Sequence, residues 1–106
     1  MLFRSDCLSA FTLPHWMMAL AAAGRQGSAA RLLQAMEEYG ATPATTAPVV
    51  REVALPVCRA VLAHRRGEHE RVVSLMSPVM ARLPELGGSH AQRDVLVQLY
   101  RDSKEK

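Results

Sequence analysis

The sequence predicts an all-α fold of stacked antiparallel helical hairpins, about five helices in one domain. Three observations carry that prediction. Alanine is frequent while aromatic residues make up only 5% of the chain, a balance that favours closely packed helices over a sheet. Apolar residues recur at three- and four-residue spacing in five segments, each bounded by glycine or proline. The apolar pattern of the first hairpin also returns in the second, at an offset of 43 residues between Gly24 and Gly67.

The elements follow in order. A first helix is expected over residues 12–23, with Thr12 as its cap and Pro14 tolerated in the opening turn. Its apolar face carries Trp16, Met17, Leu20 and Ala21, and Gly24 ends it. A second helix is expected from Ser28, as cap, to Tyr39, with Ala29, Leu32, Leu33 and Met36 facing inward. Residues 41–47, rich in Thr, Ala and Pro, form a linker. The third helix starts near Pro48 and carries a broad stripe of Val49, Val50, Val53, Ala54, Val57, Cys58, Val61 and Leu62. Pro56 lacks an N–H and crowds the carbonyl four residues back, so a kink or a break is expected near Glu52. The fourth helix follows Gly67 as far as about Leu83 and bends at Pro78. The last opens on a capping box, Ser89 with Gln92, and turns Ala91, Val95 and Leu99 inward. The hairpins thus span 12–40 and 48–84, with a final helix over 89–102.

Superposing Gly24 on Gly67 pairs Met17 with Ala60, Ala29 with Val72, Leu32 with Leu75, Leu33 with Met76 and Met36 with Val79. Two helices joined by a tight turn and then repeated is the tetratricopeptide plan, whose usual period of about 34 residues is lengthened here by the linker. Pro84 stands where that repeat often places its terminal proline, and Ala41 replaces it in the first copy. The strings FTLPHWMMALAAAGR (Phe11 to Arg25), LPVCRAVLAHRRG (Leu55 to Gly67) and GGSHAQRDV (Gly87 to Val95) resemble the tetratricopeptide repeat protein 38 family across roughly Phe11 to Tyr100. The resemblance implies a helical-repeat fold and no assigned reaction. Family members are longer, so it also implies either a carboxy-terminal part or a free-standing offshoot of such a chain. Leu13 and Pro14 depart from the acidic start the family has before the position of His15.

Composition excludes several classes. The net charge of +3 is dispersed among acids, and the two lysines, Lys104 and Lys106, stand at the end of the chain, which argues against a nucleic-acid face. Cys7 and Cys58 make no disulfide framework and are expected as reduced thiols in a cytoplasmic protein. The apolar run before Arg25 is interrupted by Asp6, Pro14 and His15 and is too short to span a bilayer, so no membrane insertion is expected.

No phosphate-binding glycine loop, nucleophile elbow or paired metal-binding cysteine motif occurs. Cys58 with His64 or His69 has the makings of a nucleophile and base, but its place on an apolar stripe reads as core. His64 and His69 flank the Gly67 turn; two histidines without a third ligand make a poor zinc site, so neither metal nor cofactor is expected. Arg65 and Arg66 compensate a helix carboxyl end. Trp16 is expected to fill the core.

The expected function is therefore a non-catalytic helical-repeat module mediating protein–protein interaction or assembly. His15, Met18, Arg51, Arg59 and Ala63 are the expected groove residues, and the partner is a protein or a second copy. The second copy would cover either Leu96 and Tyr100, on a last helix with no following repeat, or the first helix. An enzyme subunit or truncated enzyme domain with a polar site near GGSHAQRD is the alternative. In that segment Ser89, His90 and Arg93 have the ingredients of an anion site at a helix amino end. Alternatively, Gly87 ends the preceding helix and Arg93 with Asp94 ties the turn to its neighbours.

Overall fold

A computed structural model describes residues 12–87 and 90–106, with the side chains of Thr12, His90 and Gln92 left aside. Within them the chain is all helical and has no strand. Helix α1 spans Thr12–Ala22 and α2 spans Gln26–Gly40. A third helical body is continuous from α3 (Ala47–Val49) through a π-helical segment (Val50–Ala54) to α4 (Leu55–Arg65). Then come α5 (His69–Met76), a 3-10 segment (Ser77–Leu86) and α6 (His90–Lys104).

Both hairpins close by one device. Gly24 and Gly67 sit at φ of +71° and +77°, a conformation that costs glycine little and other residues much. In the first turn Arg25 N–H donates to the Leu20 carbonyl at 2.9 Å and Gly24 N–H to Ala21 at 3.2 Å. In the second, Glu68 N–H donates to Ala63 at 2.9 Å and Gly67 N–H to His64 at 3.1 Å. These are the six-to-one and five-to-two bonds of a Schellman ending, and they satisfy carbonyls the helix leaves open. Because the turn itself sets the entry, α2 begins at Gln26; Ser28 lies inside its first turn, where its hydroxyl accepts from Arg31 at 3.2 Å.

Proline decides the shape of the two later bodies. Pro56 cannot donate, and its ring would crowd the carbonyl of Glu52. The helix accommodates it by widening: Leu55 N–H reaches Val50, five residues back. Near Glu52, where a kink or a break is expected, the helix is unbroken and runs on through this π-helical stretch. Pro78, with Pro84 after it, instead tightens the chain into the 3-10 segment from Ser77 to Leu86. Gly87, at φ +83°, then ends that segment.

The core is one cluster around α4, where Val57, Cys58, Ala60, Val61, Leu62 and Ala63 are all buried. Helix α1 packs on it through Leu13 and Met17, α2 through Ala29, Leu32 and Met36, and α5 through Val72 and Met76. Gly40 lets the end of α2 approach the π-helical segment closely, since a Cβ there would stand 3.0 Å from Arg51 Cβ. The linker is folded: Thr42 Oγ1 donates to the Tyr39 carbonyl at 2.7 Å, and the Tyr39 and Thr46 hydroxyls share a hydrogen bond.

Two expectations about facing are corrected. Trp16 is 39% exposed, because Leu13 and Met17 turn inward and leave it on the outer side of α1. In α6 the buried side carries Leu96 and Ser103, with Leu99 and Tyr100 half-buried, whereas Ala91 and Val95 are exposed. Leu96 is therefore covered by its own chain. Two polar anchors accompany this facing: Tyr100 and Ser77 hydroxyls lie 2.9 Å apart, and Ser103 Oγ lies 3.0 Å from His69 Nδ1.

Candidate functional site

The second hairpin turn gathers most of the chemistry. His64 lies in the last turn of α4, and the Schellman ending at Gly67 brings the chain back so that His69 opens α5 beside it. Their rings meet edge to face with centroids 5.6 Å apart. Asp102 arrives from the last turn of α6, with its Oδ2 2.8 Å from His64 Nε2. That contact holds the Asp102 carboxyl below the usual aspartate range, with Lys106, 3.8 Å from Oδ1, adding to the effect. One potential ligand atom from each of His64, His69 and Asp102 lies within 4.8 Å of the other two. Ser103, 4% exposed, backs the group through its contact with His69. The arrangement can hold a cation or, with protonated imidazole, pair charge across the turn.

The histidines were legible as neighbours of the turn, but Asp102 was not a candidate. It is 38 residues from His64, and only the docking of α6 brings it there. Its carboxylate is a third group of ligand type beside the two histidines, one that the sequence reading does not include.

The expected groove residues stand in different settings. Ala63 is buried in the core of α4, so it offers nothing to a partner. Arg59 bonds Glu37 of α2 at 2.6 Å, and Arg51 donates to the Gly40 carbonyl at 2.5 Å, so both tie the third helical body to α2. His15 and Met18 are half-buried on α1 beside the exposed Trp16. A further network joins Arg82 to Glu85 through two bonds of 2.8 and 2.9 Å and to Glu52 at 2.9 Å, with Arg51 also on Glu52. It holds both carboxyls below their usual range, Arg82 being the main cause for each.

In the glycine segment Ser89 and the Gln92 side chain, and with them the capping box, lie outside the described residues, as does the His90 side chain. Arg93 donates to the Gly87 carbonyl at 3.3 Å, a bond from α6 back to the end of the 3-10 segment. Cys58 is fully buried, and burial pushes its thiol well above the usual range, so it stays protonated in the core. Beside the first turn, a half-open depression of about 360 Å³ is lined by Ala21, Gln26, Leu62, Arg65 and Arg66 among others. Among the described residues no helix is long and apolar enough to cross a membrane. No family model matches the chain, and no solved structure matches it.

Proposed function

We propose that the chain is a non-catalytic helical-repeat module, similar in plan to tetratricopeptide repeats, that binds another protein chain or assembles with a second copy. The observation that carries this reading is the duplicated hairpin: two turns with the same bond pattern, each returning a second helix against a shared core. Modules of this kind offer their outer helix faces to partners because each repeat buries only against its neighbours. Here the contact face is α1, where Trp16 is exposed with His15 and Met18 beside it. Tryptophan is, with tyrosine and arginine, enriched among the residues that carry interface energy.

The test uses the purified chain as bait in its own cell lysate, a control repeat protein alongside, and light scattering across the micromolar range. Capture of a protein partner or formation of a dimer is expected, with Trp16→Ala losing either while its melting temperature stays unchanged. A monomer that captures nothing while the control does overturns the proposal.

A further inference from the structure

We propose that His64, His69 and Asp102 form a binding site for a zinc-class divalent cation that pins the last helix to the second hairpin turn. The site goes beyond the interaction reading and does not depend on it.

The donors come from three elements, α4, α5 and α6, so an ion held by all three connects parts of the chain that local sequence does not. Nitrogen and oxygen ligands bind zinc at about 2.0–2.2 Å, which places tetrahedral neighbours roughly 3.3 Å apart. His64 Nε2 and Asp102 Oδ2 stand at 2.8 Å, and the full set already lies within 4.8 Å, so side-chain torsions suffice to close it. His64 and Asp102 have the freedom for this, at 33% and 47% side-chain exposure.

The surroundings of His69 favour a ligand role. Its Nδ1 lies 3.0 Å from the hydroxyl of buried Ser103; with Nδ1–H donating there, the lone pair sits on Nε2. Outer partners of this kind fix the tautomer and orientation of metal-bound imidazoles. Two imidazoles and one carboxylate are a nitrogen-rich set, which suits zinc, nickel or copper and disfavours magnesium and calcium, whose sites are built from oxygen. Water completes the coordination. Binding displaces the His64–Asp102 hydrogen bond and releases any proton the imidazoles carry.

The experiment titrates tag-free full-length protein with zinc chloride, by calorimetry and by thermal melting, with magnesium as control. One zinc ion per chain is expected, and at a hundred times Kd the melting temperature should rise by on the order of 10 °C. Asp102→Asn and His69→Gln should each weaken zinc at least about tenfold, and Ser103→Ala by about 10- to 100-fold. Circular dichroism verifies that each variant is folded. For the unaltered protein, zinc-induced NMR shifts should centre on His64, His69 and Asp102, a readout that does not require any variant to fold. Zinc affinity equal in wild type, Asp102→Asn and His69→Gln overturns the proposal, as do NMR shifts centred elsewhere or a melting temperature unmoved by excess zinc.

Discussion

The two hairpin turns share a backbone and differ in what they carry. Gly24 and Gly67 hold nearly the same φ, and the carbonyls they leave behind are satisfied by the same pair of bonds. The helix that follows each begins two residues later, at Gln26 and at His69. Yet the first turn is edged by alanines, from Ala21 to Ala23, whereas the second is flanked by two histidines that meet Asp102 and Ser103 of α6. Repetition fixed the geometry of a turn, and the chemistry arose only where a third element docked against it. The comparison can be broken at the core beneath the turns, at the glycines themselves, or at the Asp102 carboxylate beside the second turn.

The largest effect is expected beneath the first turn. Met17 and Ala60 occupy equivalent places seven residues before their glycines, and both are fully buried. Met17→Ala removes a large side chain from contact with the core and should cost about 2–5 kcal/mol, read as a lower denaturation midpoint with an unchanged slope. Ala60→Met adds volume to a filled position and should cost about 1–3 kcal/mol. The two turns are thus alike in backbone, while the hairpins they close are unequal in packing. A Met17→Ala loss well below 1 kcal/mol would mean that α1 contributes little to the fold.

The glycines come next. No atom lies within 4 Å of the position a Cβ would take at Gly24 or Gly67, so substitution meets no clash and tests the backbone alone. Gly24→Ala and Gly67→Ala should each cost about 1–2 kcal/mol, the penalty of a left-handed residue with a side chain. Equal losses sharpen the equivalence of the turns. A much larger loss at Gly67 would show that the histidine cluster and α6 depend on that turn for their placement.

How much of this was legible in the sequence follows the range of the interactions. Gly24, Gly67 and the prolines act within five residues, so the turns and the irregular stretch near Glu52 could be read directly. The facing of α6 could not. Ala91, Val95 and Leu99 make one apolar stripe and Leu96, Leu99 and Tyr100 another, and periodicity has no means of choosing between them. The buried choice goes with partners on other elements, Ser77 for Tyr100 and His69 for Ser103. Trp16 was misplaced because Leu13 and Met17, one helical turn apart, define a face that excludes it. Asp102 was missed for the same reason of range: nothing near it in sequence marks it as a partner of His64.

The smallest effect separates the turns by charge. Asp102, ordinarily titrating near 3.8, is held lower chiefly by its hydrogen bond to His64. A carboxyl depressed in the folded state contributes stability that is fully present above the unfolded value and is lost as pH falls through the folded one. The metal-free protein should therefore lose part of its stability on acidification below about pH 4, and Asp102→Asn should lose less over the same interval. Glu52 and Glu85 respond in the same direction through Arg82, so the informative quantity is the difference between wild type and variant, not the acid response alone. Among the described residues that line the depression beside the first turn there is no carboxylate, and Ala22→Asn, an exposed change there, should leave the acid response unchanged. Melting temperatures at pH 7 and pH 3 for the three proteins decide the matter. Parallel declines in wild type and Asp102→Asn would mean that the His64–Asp102 contact adds nothing to the docking of α6, leaving Leu96 and the Tyr100 and Ser103 hydroxyls to hold that helix in place.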